Sequence, residues 1–191
     1  MNINNAVNIA ADLIKKSEGY FKKLPNGNVT AYLDPRNIPT IGWGSTYMLN
    51  GNAVKMGDIL TLQQCELLLS SKIAGFTDSI LKNLKTPVTD EQLAGLISFV
   101  YNSGIGVQGG KTGLVNKDFF KVLNATGDST RAAAILEKTN LTGRGSSKVL
   151  PGLVIRRNAE AALLRQKKKY NHSFVGWSVF IRNFSNLFNK K

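Results

Sequence analysis

The sequence has very few of the residues that crosslink small proteins or bind metals. Its 191 residues include one cysteine, Cys65, and one histidine, His172. A lone cysteine cannot form an internal disulfide, so the fold does not depend on an oxidising compartment. A lone histidine leaves no cluster for a zinc site. Apolar residues make up 42% of the chain, enough for a hydrophobic core. We therefore expect a protein that needs no metal and no organic cofactor.

Long hydrophobic runs are also missing. No segment approaches the roughly 20 apolar residues of a membrane-spanning helix. The N-terminal stretch MNINNAVNIAADLIKKSEGY lacks a basic start followed by an unbroken apolar run, so it is not a secretory signal by that test. We expect the protein to accumulate in the cytoplasm of the cell that makes it.

Acidic residues are scarce. Twelve Asp and Glu face 25 Lys and Arg, which gives a net charge of +13. Such a protein is attracted to polyanions, namely nucleic acids, anionic membranes, teichoic acids or lipopolysaccharide. The sequence contains no helix-turn-helix, zinc or aromatic RNA-binding motif, so we do not expect nucleic acid as a partner.

Hydrophobic periodicity predicts a mostly helical α+β fold. Apolar residues at helical spacing indicate a first helix over residues 3–17. Residues 19–47 carry turn and strand signals, including the hairpin dipeptide Asn26-Gly27, and predict a small antiparallel sheet of three strands. Beyond Gly57 the chain is predicted to be helical, with a cleft between the sheet and the helices.

The helical part has clear boundary signals. Thr61 with Gln64, and Thr89 with Gln92, are predicted capping boxes. Gly104 is predicted to end the second of these helices as a left-handed cap. Shorter helices fit residues 117–125 and 129–138, a loop fits 139–152, and a last helix fits 153–168.

Two carboxylates and a hydroxyl lie around the predicted sheet. Glu18 follows the first helix, and Asp34 and Thr40 lie in the segment YLDPRNIPTIGWGS at 32–45. Cleavage of a glycosidic bond needs an acid and a base or nucleophile on opposite faces of a sugar. Apolar burial beside Tyr20 and Phe21 would keep Glu18 protonated, while Asp34 in a polar turn would stay ionised. Taken alone, the same residues also fit a surface cap and a turn former.

These segments resemble the active-site signature of the phage-type lysozymes, or endolysins. The shared pattern is a Glu-Gly pair, an aromatic-Xaa-Asp and then Thr-Ile-Gly-aromatic-Gly, with Thr40 six residues after Asp34. LAGLISFVYNSGIG at 93–106 and PGLVIRRNAEAAL at 151–163 resemble two helices of that family. The similarity covers roughly residues 3–168. The separation of Glu18 and Asp34 is longer than usual for the family, and Ser45 stands where histidine is frequent.

The resemblance implies a lysozyme that hydrolyses β-1,4 bonds between N-acetylmuramic acid and N-acetylglucosamine in bacterial peptidoglycan. It implies Glu18 as general acid, Asp34 as base or nucleophile, and Thr40 as support for the water. Inversion at the sugar carbon is implied, with carboxyl groups about 6.5–9.5 Å apart. A lytic transglycosylase, or a non-catalytic peptidoglycan-binding or membrane-active protein of the same fold, remain alternatives. We expect a phage or prophage endolysin that is monomeric and moves from host cytoplasm to cell wall.

Further residues are candidates around the site. Tyr101 and Asn102, at the end of the central helix, are predicted to contact sugar, with helix capping as the alternative for Asn102. The adjacent Arg156 and Arg157 are candidates to steady one of the two site carboxylates by an ion pair, and at most one of them is well aimed at it, because neighbouring helical residues diverge by about 100°. The other is expected to be a solvated surface charge.

The last segment, 169–191, differs from the family and is predicted to be a basic amphipathic tail. Its aromatic residues fall on one apolar stripe at helical spacing, which is typical of an interfacial membrane helix. The same stripe also fits docking on the catalytic domain, residues 1–168. The candidate envelope-binding residues are Lys167, Lys168, Lys169, Trp177, Phe180, Phe184 and Phe188.

Overall fold

The computed structural model describes residues 1–18, 22–110, 112–142 and 147–167. In this part of the chain, six α-helices accompany four short strands, which confirms the mostly helical α+β class. In chain order the elements are α1 Ile3–Ser17, β1 Val29–Thr30, β2 Tyr32–Leu33, β3 Pro39–Thr40, β4 Ile59–Leu60, α2 Leu62–Asn83, α3 Asp90–Ser103, a 3-10 helix Leu114–Asn116, α4 Asp118–Thr126, α5 Ser129–Leu136 and α6 Pro151–Leu164.

Helix α3 is the centre of the helical lobe. Its residues from Gln92 to Tyr101 are all buried, and it packs against α1, α2 and α6. Gly95 permits a close approach to α6, because a Cβ there would lie 2.9 Å from the carbonyl oxygen of Glu160. The amide of Gln92 also donates to the carbonyls of Leu164 and Gln166, so the end of α6 is joined to the start of α3.

The predicted helix starts are confirmed by hydrogen bonds. Thr61 and Gln64 form one capping box, and Thr89 and Gln92 form the other. The last helix begins at Pro151 rather than at 153, because proline is well suited to the first helical turn. Gly104 does have a positive φ of 76°, but its ψ of 166° is not left-handed helical, so the predicted cap type is wrong.

The β lobe contains two small sheets rather than one sheet of three strands. β2 pairs with β3 in antiparallel fashion, with Tyr32 opposite Thr40. β1 pairs with β4, which follows it by about thirty residues, with Val29 opposite Leu60. The Asn26-Gly27 turn is present, since Gly27 has φ 86° and donates to the carbonyl of Leu24.

Across the ranges that the structure describes, no helix has the length and hydropathy that crossing a bilayer requires. The predicted amphipathic tail, residues 169–191, lies outside these ranges, whereas Lys167 is exposed at the end of the last described range. The lone cysteine, Cys65, is buried on α2, and burial raises the pKa of its thiol to about 11.

Candidate active site

Both candidate carboxylates line one cavity of about 490 Å³ in the β lobe. Glu18, at the end of α1, lines it together with residues of the β2–β3 hairpin and of the turn that follows. Thr40 lines the same cavity, so the structure brings the three predicted catalytic residues together. The lining residues are Glu18, Tyr32, Leu33, Asp34, Pro35, Arg36, Thr40, Gly44 and Thr46.

Glu18 occupies the C-terminal cap of α1, where its backbone N–H donates to the carbonyl of Ile14. Its side chain is 28% exposed, and its Oε1 accepts a hydrogen bond of 2.7 Å from Arg156 Nη1. The prediction of an apolar environment for Glu18 is wrong on the side that faces Arg156, because the partner there is a cation. Tyr20 and Phe21, which were expected to bury it, lie outside the described residues.

Hydrogen bonds to one residue of α3 and one residue of α6 hold the Arg156 guanidinium in place. Its Nε lies 3.1 Å from Glu160 Oε1, and its Nη2 donates to the carbonyl of Ser98 at 2.9 Å. The Ser98 hydroxyl donates to the same Glu160 oxygen at 2.7 Å. Nε and Nη2 of Arg156 therefore have partners inside the protein, and Nη1 is the nitrogen that contacts Glu18. Glu160 and Ser98 were not identified from the sequence, although the spacing Arg156 to Glu160 is that of a helical ion pair.

Arg157 is fully buried, so its expected role as a solvated charge is wrong. Its Nη2 donates to Asn102 Oδ1 at 2.7 Å, and its guanidinium carbon lies 4.7 Å from the centre of the Phe99 ring. Its Nη1 is 2.9 Å from Glu160 Oε2, close enough for an ion pair but not aligned as a hydrogen bond. Burial lowers the pKa of Arg157, and Glu160 opposes that shift. Burial also raises the pKa of Glu160 against the pull of both guanidinium groups.

Asp34 lies in the tight turn between β2 and β3. Its Oδ1 accepts the backbone N–H groups of Ile38 at 2.9 Å and Arg36 at 2.8 Å. Its Oδ2 accepts from the Arg36 guanidinium, with Nη2 at 3.0 Å. The bond from Ile38, then those from Arg36, hold the pKa of Asp34 below its usual range. This agrees with the prediction that Asp34 stays ionised; Arg36 was not singled out from the sequence.

Thr40 is buried on β3 and shares a partner with Asp34. Its hydroxyl donates to the carbonyl of Ile38 at 2.9 Å, while the N–H of Ile38 donates to Asp34. The hydroxyl proton is thus used by the backbone rather than by the Asp34 carboxylate. The oxygen of Thr40 still has lone pairs that can accept a hydrogen bond from a water in the cavity.

The predicted sugar-contacting residues have protein partners. Tyr101 is 9% exposed, and its hydroxyl donates to the carbonyl of Trp43. Burial first, and then the charge of Glu18, raises the pKa of Tyr101, so the phenol remains a donor. Asn102 is exposed and accepts from Arg157. Contact of either residue with sugar stays a prediction.

Of the candidate envelope-binding residues, only Lys167 is described. Lys168, Lys169, Trp177, Phe180, Phe184 and Phe188 lie outside the described residues.

Comparisons with known proteins identify the family of this chain. The sequence profile of the Phage lysozyme family matches residues 22–160, which include Asp34, Thr40 and most of α6 but begin after Glu18. An endolysin of Acyrthosiphon pisum secondary endosymbiont phage 1 is 32% identical over 151 residues, covering 79% of this chain and 91% of the relative.

Two solved structures have the same fold. An endolysin from Escherichia coli phage FAHEc1 superposes with a TM-score of 0.69 at 30% identity, covering 87% of this chain and 94% of that one. The muramidase domain of SpmX from Asticaccaulis excentricus superposes with a TM-score of 0.60 at 25% identity, covering 83% and 95%. On the match of sequence and fold, this chain belongs to the phage lysozyme family.

Proposed function

We propose that Glu18 is the general acid and Asp34 the general base of this lysozyme, with Thr40 positioning the attacking water. The chain is a phage endolysin that hydrolyses peptidoglycan, a glycoside hydrolase of the muramidase type. We further propose that the bond cleaved is the β-1,4 link between N-acetylmuramic acid and N-acetylglucosamine. One observation carries the assignment of roles: the two carboxylates and the hydroxyl line a single cavity.

The two carboxylates differ in a way that suits different roles. Asp34 is surrounded by donors from its own turn, which favours the ionised form needed to accept a proton from water. Glu18 lines the same cavity, and its Oε1 accepts from Arg156, which leaves Oε2 for the glycan. When Glu18 gives its proton to the glycosidic oxygen, the carboxylate left behind is stabilised by Arg156 at 2.7 Å.

In this mechanism water attacks the anomeric carbon as the glycosidic bond breaks. The proton of Glu18 goes to the leaving oxygen, and a proton of the water goes to Asp34. The attack from the face opposite the leaving group inverts the configuration. An ionised base beside the cavity favours hydrolysis over transglycosylation, in which a hydroxyl of the substrate itself would be the nucleophile.

The test compares Glu18→Gln and Asp34→Asn with the controls Glu91→Gln and Asp78→Asn, which lie on α3 and α2 away from the cavity. Each site variant is expected to lose a factor of about 10²–10⁴ in the rate of turbidity clearing of purified peptidoglycan. The controls should clear at the wild-type rate. Mass spectra of wild-type products should show reducing muramic ends. Anhydro ends would instead indicate transglycosylation, and full activity of Glu18→Gln would remove Glu18 from the mechanism.

We also propose that the enzyme accumulates in the host cytoplasm and reaches the wall at lysis. It acts as a monomer. Its basic tail, residues 169–191, adds affinity for anionic membrane or lipopolysaccharide. Deletion of 171–191 separates the possible roles of the tail. Envelope binding predicts unchanged hydrolysis of purified peptidoglycan, unchanged thermal midpoint and weaker killing of intact bacteria. A lowered thermal midpoint would indicate docking on the catalytic domain.

A further inference from the structure

The turn over residues 41–45, here called the Gly44 turn, lies directly against the proposed acid. Ile41 and Ser45 exchange two backbone hydrogen bonds of 2.8 and 3.0 Å, which close the turn. Gly44 has φ 86°, and a Cβ placed on it would lie 3.7 Å from Glu18 Oε2. The position of this turn therefore sets the space on one side of the Glu18 carboxylate.

Two side chains from different helices hold the Gly44 turn by its carbonyl groups. The Tyr101 hydroxyl, on α3, donates to the carbonyl of Trp43. Lys72 Nζ, on α2, donates to the carbonyl of Gly44 at 3.2 Å. The two side chains also contact each other, with the Lys72 ammonium 4.4 Å from the centre of the Tyr101 ring.

Lys72 is an unusual residue for this environment. It is partly buried, and within the described ranges no carboxylate lies within ion-pairing distance of its ammonium group. Burial lowers the pKa of Lys72, while the charge of Glu18 acts in the opposite direction. An apolar side chain would fill the same space without this desolvation cost, so packing alone does not explain a lysine here.

We propose that Lys72 and Tyr101 are positioning residues that fix the Gly44 turn against Glu18 and so align the acid with the glycosidic oxygen. This inference rests on the proposed role of Glu18. The carbonyls of Trp43 and Gly44 belong to the two peptide groups that flank the Gly44 Cα. Holding both prevents the turn from rotating about the glycine, whose backbone is the least restricted of any residue.

The position of Lys72 also adds an electrostatic effect. The two groups are close enough for the charge of Glu18 to act on the pKa of Lys72, so the ammonium also attracts a negative charge on Glu18 across the turn. Proton donation leaves Glu18 negatively charged, so the ammonium stabilises the state after transfer together with Arg156. Lys72 would therefore affect the chemical step more than the binding of the glycan.

The test uses Lys72→Met, Lys72→Arg and Tyr101→Phe, with Lys82→Met as the control on an exposed position of the same helix. Rates are measured on soluble peptidoglycan fragments, so that kcat and KM are separated, and thermal midpoints are recorded. Lys72→Met is expected to lower kcat by about tenfold or more while KM changes by less than about threefold. Lys72→Arg should recover part of that loss, and Lys82→Met should match wild type.

The double variant Lys72→Met with Tyr101→Phe tests whether both residues act on one turn. Its loss of kcat should be smaller than the product of the single losses, because the second change removes contacts already weakened by the first. Two results would overturn the inference: wild-type kcat in Lys72→Met, or a kcat loss that tracks the loss of thermal stability and is not recovered by arginine. Activity of Glu18→Gln near wild type would instead refute the role of Glu18 itself.

Discussion

Glu160 is a fully buried carboxylate that contacts both arginines of α6. Through Arg156 it is connected to Glu18, and through Arg157 to Asn102. The acid and one predicted sugar-contacting residue therefore share one internal counter-ion. Because the guanidinium groups are themselves buried, the cluster is stable only as a whole.

Glu160→Gln is expected to destabilise the protein by about 3–5 kcal/mol, because two buried cations lose their shared counter-charge. The free energy of unfolding from urea titration measures this loss. Glu137→Gln is the matched control. Its 2.6 Å pair with Arg165 is partly exposed, and its removal should cost about 1 kcal/mol or less. Equal losses in the two variants would show that Glu160 is not held as a charged centre.

Asp34 gives a second prediction at the residue scale, concerning pH. Its pKa is lowered first by the Ile38 N–H and then by Arg36. A carboxyl with a lowered folded pKa stabilises the fold above its unfolded value of about 3.8, and this contribution is lost as pH falls through the lower folded value.

Arg36→Met removes the guanidinium and leaves both backbone hydrogen bonds to Asp34 in place. The pKa of Asp34 should therefore rise in the variant without reaching a value above 3.8. Titration of the Asp34 side-chain carboxyl carbon by NMR measures this directly. A pKa that does not move would mean that the backbone of the turn alone keeps Asp34 ionised.

At the scale of elements, the approach of α3 and α6 determines whether Arg156 can reach the cleft. Gly95 is the point of closest approach, with space for hydrogen but not for a methyl group beside the Glu160 carbonyl. Since Glu160 and Arg156 lie on the same helix, a shift of α6 would move the guanidinium relative to Glu18.

Gly95→Ala is expected to destabilise the protein by about 1–3 kcal/mol, because the added Cβ would lie 2.9 Å from backbone. It should also lower activity through the displacement of Arg156. Gly75→Ala is a matched control on α2, where nothing lies within 4 Å of the added Cβ. That change should raise stability by about 0.5–1 kcal/mol, since alanine is the better helix former. Urea midpoints for the pair separate the steric effect from helix propensity.

At the scale of the whole molecule, the net charge of +13 governs the encounter with the wall. Long-range attraction to an anionic polymer is screened over about 8–10 Å at physiological salt. We expect the rate of lysis of whole walls to fall as salt is raised from 50 to about 300 mM, mainly through apparent KM. Short, uncharged glycan fragments should show a much weaker salt dependence. Equal dependence on both substrates would place the effect in the active site rather than in the encounter.

The sequence was sufficient to predict most helix boundaries, the Asn26-Gly27 turn and the motif that joins Asp34 to Thr40. Each of these depends on residues within a few positions of one another. The pairing of β1 with β4 could not be predicted in this way, because residues 31–58 separate the two strands in the chain. The burial of Arg157 was also missed. Helical periodicity identifies which residues share a face, but not which face a neighbouring helix covers.

Local patterns and motif spacing were enough to predict the family and the fold class and to propose the three catalytic residues, since each of these is encoded in short stretches of the chain. Only the packing of the helices brings Glu18 to Arg156, which is 138 positions away in the chain. The same packing places Tyr101 and Lys72 on the turn beside that acid. The reason is physical: the environment of a charge depends on groups brought within a few ångströms by packing, and distance along the chain carries no information about them.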